Sequence, residues 1–165
     1  GVCYANYSSD TTGCVPVNGK FSARQRDVYQ SVLNCLKEGS KLLKPGVLSK
    51  DYEKQMASLV ENELIELGLI TRKEIANQNP DSPVYKKYFM HGTAHYLGLD
   101  VHDVGLYSRP FEKGMVLTCE PGIYIPEEGI GCRLENDYLL TENGNFNLTA
   151  ALPIEIDEIE SLIKG

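Results

Sequence analysis

Residues 130–140 read Ile-Gly-Cys-Arg-Leu-Glu-Asn-Asp-Tyr-Leu-Leu. In an extended chain, successive side chains point to opposite faces. Arg133, Glu135 and Asp137 then share one face, opposite Cys132, Leu134 and Asn136. A solvated outer face is the simple account of three charges in a row. A second run argues against it, since residues 115–119 (Met-Val-Leu-Thr-Cys) form an apolar strand that delivers Glu120 to a Pro121-Gly122 turn. Buried carboxylates are costly unless paired with cations or coordinated to a metal.

Upstream, all three His of the chain fall within one segment, His91-Gly-Thr-Ala-His95-Tyr-Leu-Gly-Leu-Asp-Val-His102-Asp103. Gly92 and Gly98 interrupt it, which predicts close backbone approach rather than a regular helix. A His-rich surface loop is the plain alternative. Clustered imidazoles beside strand-like apolar residues more often mark a metal or acid–base site. The segment lacks the H-E-x-x-H pattern of zinc proteases, because Gly92 follows His91. Three carboxylates with one imidazole favour manganese, cobalt, iron or zinc in a catalytic setting.

Helical periodicity occupies the region before this segment. Ser22 and Gln25 form a capping box, and Val28, Val32, Cys35, Leu36, Gly39, Leu42 and Leu43 share a face as far as Pro45-Gly46. A second helix starts at Ser49, buries Tyr52, Met56, Leu59, Val60, Leu64 and Leu67, and closes at Gly68. A short third is expected from Thr71 with Glu74, and a last one from Asp157 with Glu160. Residues 1–20 read as extended, with a bend at Pro16 and Asn18-Gly19. Strands are expected at 88–90, 101–104, 115–119, 123–125 and 130–140, with a turn at Asn143-Gly144. Helices followed by antiparallel strands make an α+β layout.

Composition bounds the partners. The 165 residues carry 16 Lys plus Arg against 23 Asp plus Glu, a net charge of −7. That balance argues against nucleic acid or an anionic membrane, which demand clustered basic residues. No apolar run is long enough to span a bilayer, and no basic start followed by an apolar stretch marks a signal peptide. Five scattered cysteines without a C-x-x-C pair fit neither a disulfide framework nor a structural zinc site. A reducing, cytoplasmic setting is the expectation.

Three runs together carry a family resemblance: residues 91–105, Glu120-Pro-Gly-Ile-Tyr124 and Arg133-Leu-Glu-Asn-Asp137. They resemble the pita-bread metallopeptidases, and within them the Xaa-Pro branch. Asp10 and the Pro-Val-Asn-Gly-Lys run that ends at Lys20 fit the same branch. The resemblance implies the C-terminal half of a pita-bread domain, an antiparallel sheet packed against two main helices. Residues 1–20 would end the first metal-bearing hairpin and 21–165 would form the second pseudo-symmetric half. It further implies hydrolysis between an N-terminal residue and a following proline, assisted by two divalent metals, manganese first, with Co2+, Zn2+ or Fe2+ as alternatives. The metal ligands would be Asp10, His95, Glu120 and Glu135. A further Asp is expected just ahead of Gly1, so the chain is expected to hold one complete metal site and half of the second.

By the same resemblance Glu120 would carry the proton, His102 would donate to the substrate or the developing oxyanion, and His91 would line the proline pocket. Arg133 and Tyr124 would orient the carboxylates. The partners implied are peptides with proline second, with self-association compatible. The sequence departs from the family where Thr12-Gly13-Cys14 replaces Thr-Arg-Thr and where Ala94 replaces a Gly. A dipeptide-only enzyme of the same branch, and a truncated or non-catalytic binding relative, are the competing readings.

Overall fold

The computed structural model describes residues 1–164. Helix α1 (Ala23–Ser40) starts as expected: the Gln25 N–H donates to the Ser22 hydroxyl, and the Ser22 N–H donates to the Gln25 side chain. It stops short of the Pro45-Gly46 signal. Asn145, distant in sequence, donates its amide to the carbonyls of Ser40 at 2.6 Å and Leu43 at 2.8 Å. Those bonds tie Asn145 to carbonyls at and just beyond the helix end, where the intrahelical ladder has run out.

Helix α2 (Ser49–Glu66) crosses α1 at Gly39, where a Cβ would come within 2.4 Å of Met56 Sδ. Only a glycine permits that approach. The α2 stripe of Tyr52, Met56, Val60 and Leu64 is fully buried, and Gly68 ends the helix at φ +73°. Helix α3 (Arg72–Ala76) carries the expected Thr71–Glu74 capping box.

All strand pairs are antiparallel. β1 (Cys3–Tyr4) and β2 (Tyr7–Ser8) form a small hairpin. β3 (Val116–Cys119) pairs with β6 (Asn136–Leu140), which pairs with β7 (Asn145–Asn147). β4 (Gly122–Ile125) pairs with β5 (Ile130–Arg133). Leu117, Cys119, Ile123, Ile125, Leu134 and Leu140 are buried in one core with Val28, Val32, Leu33 and Leu36 of α1. Each such side chain contributes roughly 1.5–3 kcal/mol by leaving water.

Four expectations are corrected. The strand foreseen over 130–140 is two strands. At the break the Leu134 N–H donates to Pro121 O (3.2 Å) and the Glu135 N–H to Thr12 O (3.0 Å). The chain thus changes partners at Glu135. Residues 88–90 continue a 3-10 turn, with the Tyr88 and Phe89 N–H groups bonded to Tyr85 O, though Tyr88 and Phe89 are buried as their apolarity demands.

Residues 101–104 are a bend, because the Asp103 carboxylate accepts the N–H groups of Leu99 and Val104 and draws the loop tight. Helix α4 (Ile156–Lys164) begins one residue ahead of Asp157, which therefore lies inside the helix and not at its cap. Asp157 instead pairs with Arg26 at 2.8 Å, and Glu160 accepts the Phe21 N–H at 2.9 Å, docking α4 on the start of α1. Among the described residues, no helix is long and apolar enough to cross a membrane.

Candidate metal centre

The partner change at Glu135 brings three separate backbone segments to one point. Thr12 bridges Glu135 from the strand after Asp10. On the other side, the His91-to-Leu97 segment runs along β3: the Thr118 N–H donates to His95 O (3.0 Å), the Glu120 N–H to Thr93 O (2.9 Å), and the His95 N–H to Thr118 Oγ1 (3.1 Å). Side chains of Asp10, His95, Glu120 and Glu135 therefore face one cleft of about 420 Å³, which His91, His102 and Arg133 also line.

The ligand atoms converge. His95, Glu120 and Glu135 each offer one within 4.8 Å of the others, and so do Asp10, His95 and His102. His95 Nε2 lies 3.6 Å from Asp10 Oδ2 and 3.6 Å from Glu120 Oε1. His95 Nδ1 sits 2.9 Å from Tyr96 O, which can only accept, so the ring proton belongs on Nδ1 and the Nε2 lone pair faces the cleft.

His95 Nε2 and Glu135 Oε1 are buried without a hydrogen-bond partner. Orphaned buried polar atoms cost about 1–3 kcal/mol each, and a cation among them would remove that cost. Oxygen donors with one imidazole suit a divalent transition metal. The residues present therefore fit one.

Carboxylates gathered in a buried place repel. Burial, and then the neighbouring Glu135 charge, push the Glu120 carboxyl up to about 7, against the pull of Arg133. His102 is exposed, with its ring centroid 4.1 Å from that of His95.

The other foreseen residues are tied together rather than scattered. His91 Nδ1 bonds Gly92 O, leaving Nε2 to accept the Tyr124 hydroxyl at 2.7 Å. Phe89 packs edge-on against the His91 ring. Burial raises the Tyr124 hydroxyl, and the nearby Arg133 guanidinium pulls it back down. Arg133 Nε donates to Thr12 Oγ1 (3.3 Å), and Thr12 donates to Glu135 Oε2 (2.5 Å). Arg133 thus meets Glu135 through Thr12, and Tyr124 meets His91 rather than a carboxylate. Gly122 is required here, since a Cβ would fall 2.6 Å from the Tyr124 hydroxyl.

Two contributors, Thr12 and Glu53, lay outside the sequence reading of the site, and a third, Asp137, was read there only as part of a charged strand face. Thr12 shares the face of Asp10 by strand alternation, a signal that was present. Asp137 shares the face of Glu135, and its carboxylate accepts the Asp10 N–H. Glu53 on α2 accepts the Thr93 N–H at 3.0 Å and so holds the His segment; no sequence pattern announces that contact.

The sequence profile of metallopeptidase family M24 matches residues 1–142. The Xaa-Pro aminopeptidase of Haemophilus influenzae is 43% identical over 175 aligned positions, covering 99% of this chain and 40% of that relative. Xaa-Pro aminopeptidase 3 of Homo sapiens is 37% identical over 94% of this chain and 32% of its own length. Among solved structures, zinc-substituted Escherichia coli aminopeptidase P in complex with product superposes with a TM-score of 0.88 at 41% identity. That match covers 98% of this chain and 39% of the other. The chain spans about 40% of the length of the Haemophilus influenzae and Escherichia coli relatives it matches.

Proposed function

The chain belongs to metallopeptidase family M24, and we propose that it is the C-terminal part of an Xaa-Pro aminopeptidase, acting on peptides with proline in the second position. The observation that carries this reading is the convergence of Asp10, His95, Glu120 and Glu135, with His95 Nε2 and Glu135 Oε1 left without partners. In this reading residues 1–20 end a metal-bearing hairpin and residues 21–165 form the second half of the domain. Apolar side chains on the surface, among them Tyr4, Val17 and Val104, suit a chain that packs against further polypeptide.

Asp10, His95, Glu120 and Glu135 would hold one divalent cation, with Mn2+ the first choice. Asp10 and Glu135 would share a second with an Asp from the preceding chain. Bound there, such a cation polarises the scissile carbonyl and makes water nucleophilic near neutral pH. Glu120, whose carboxyl titrates near neutrality in the metal-free site, is the group suited to move a proton from water to the leaving nitrogen.

His102 is exposed at the mouth of the cleft, where an N–H can donate to a developing oxyanion. His91 is held between Phe89 and Tyr124, and that wall suits the compact apolar ring of a proline. Arg133 holds Thr12 against Glu135 and so fixes the carboxylate. Five unpaired thiols suit a reducing compartment, the cytoplasm in this reading. The names of the relatives favour an aminopeptidase over the dipeptide-only alternative.

The test uses the full-length protein, stripped with chelator and reloaded with Mn2+. Alanine release from Ala-Pro-Ala, none from Ala-Ala-Ala, and loss of release in Glu120→Gln are expected. Hydrolysis confined to the dipeptide Ala-Pro would select the dipeptidase. No hydrolysis of either proline peptide after reloading would reject the reading.

A further inference from the structure

Outside the carboxylate cluster, two thiols line a common cleft, Cys14 from the segment after Thr12 and Cys132 from β5. Cys14 is half-buried, and its thiol donates to the carbonyl of Arg133, the neighbour of Cys132, at 3.4 Å. Cys132 is only 5% exposed. Cys14 also forms a wall common to two small clefts. One, of about 160 Å³, extends towards Leu152 and Ile154, and the other, of about 140 Å³, towards Gly131. A reagent the size of water or peroxide can therefore approach this sulfur.

The chain's cysteines differ in chemistry. The neighbouring Cys132 thiol draws the Cys14 thiol down to about 6, outweighing the upward push of burial. Burial pushes Cys119 up to about 12 and raises Cys35 as well, and Cys132 is raised by its interaction with Cys14 and then by burial, so all three stay protonated beside a Cys14 thiolate. A thiolate next to a second thiol, open to small reagents, is the arrangement that redox-active pairs share.

We propose that Cys14 and Cys132 form a peroxide-sensitive dithiol–disulfide pair, with Cys14 the attacking sulfur and Cys132 the resolving one. The Cys14 thiolate attacks one oxygen of hydrogen peroxide. The O–O bond breaks, a sulfenic acid forms on Cys14, and the departing hydroxide takes up a proton to become water. The Cys132 thiol then attacks the sulfenic sulfur, the S–O bond breaks, and hydroxide leaves with the Cys132 proton as a second water. Two thiols are oxidised to one disulfide while one peroxide is reduced to two waters.

The bond would join the Asp10 strand to β5. A disulfide holds its Cβ atoms about 3.8 Å apart, so closing the bond pins the segment beside Thr12, and through it Glu135, to β5. On the metal-centre reading, the oxidised protein then differs from the reduced one in Mn2+ affinity. That arm rests on the proposed function, whereas the thiol chemistry does not.

The test treats reduced full-length protein with hydrogen peroxide and maps peptides without reduction. A Cys14–Cys132 linked peptide, lighter by two hydrogens, is expected. In Cys132→Ser the sulfenic acid accumulates on Cys14 and is trapped by dimedone, and in Cys14→Ser Cys132 remains a free thiol. Cys132→Ala, which keeps the site apolar, repeats the trapping so that a folding defect in one variant does not decide the result. Recovery of Cys14 unmodified at peroxide concentrations that oxidise exposed Cys3, or dimedone-labelled Cys14 in the wild type without a linked peptide, would overturn the proposal. A linked peptide without peptidase activity would leave the redox pair standing and count against the enzyme reading alone.

Discussion

The Asp137 carboxylate accepts the backbone N–H of Asp10 at 3.2 Å, across 127 positions of sequence. Asp137 is 3% exposed, and Thr149 Oγ1 accepts its own N–H. One buried carboxylate on β6 therefore sets where the Asp10 strand lies, and with it one wall of the cleft.

Replacing Asp137 by Ala strands the Asp10 N–H. We expect a loss of about 1–3 kcal/mol in unfolding free energy and a Mn2+ affinity about tenfold weaker. Asp137→Asn keeps an acceptor of the same shape and should restore most of both. Equal damage from the two variants, read by denaturant titration and calorimetry, would show that charge matters here more than the hydrogen bond.

Glu135 and His95 separate charge repulsion from ligation. His95→Ala should remove detectable Mn2+ binding. Glu135→Gln should do the same while raising the melting temperature of the metal-free protein, because the charge that raises the Glu120 carboxyl disappears. A stabilisation of about 1 kcal/mol is reasonable for losing one like-charge neighbour. A wild-type rise in melting temperature with Mn2+, absent from both variants, completes the test.

The pH dependence has a definite sign. Burial pushes Glu120 from 4.5 up to about 7 and Asp137 from 3.8 up to about 6. Between those limits the folded, metal-free protein binds more protons than the unfolded chain. Its stability should therefore fall as pH rises through roughly 4 to 7, by on the order of 2 kcal/mol after allowance for partial exposure. Mn2+ must displace the Glu120 proton, so binding should tighten from pH 6 to pH 8 with proton release, measurable by calorimetry in buffers of different ionisation enthalpy.

Asn145→Ala should destabilise the protein by about 1–2 kcal/mol, since it frees the Ser40 and Leu43 carbonyls that Asn145 holds. Hydrogen exchange should quicken in the last turn of α1 and leave the Glu120 and Glu135 segments unchanged.

Local chemistry was legible in the sequence, and long-range chemistry was not. The Ser22–Gln25 and Thr71–Glu74 capping boxes sit within four residues, and both form as read. The end of α1 depends on Asn145, which no window around Ser40 contains. Alternation placed Glu135 and Asp137 on one face correctly, but it could not reveal the exchange of partners between Pro121 and Thr12 that divides the strand. Val101 and Val104 look like strand residues by composition, yet the Asp103 carboxylate holds that stretch in a loop. Motif residues, Asp137 among them, marked the cleft, while Thr12 and Glu53 were not legible there because each acts through a contact set by tertiary folding.

The series of side chains His91, Tyr124, Arg133, Thr12 and Glu135 runs from one wall of the cleft to a buried carboxylate, joined by the His91–Tyr124, Arg133–Thr12 and Thr12–Glu135 hydrogen bonds and by the pull of the Arg133 charge on Tyr124. If turning the His91 ring redirects the Tyr124 hydroxyl, Arg133 and Thr12 are the groups placed to carry the change to Glu135. Thermodynamic reciprocity then requires that occupancy at the carboxylate end alter affinity at the imidazole end by the same factor as the reverse. A chain of this kind makes recognition of one component conditional on the presence of the other.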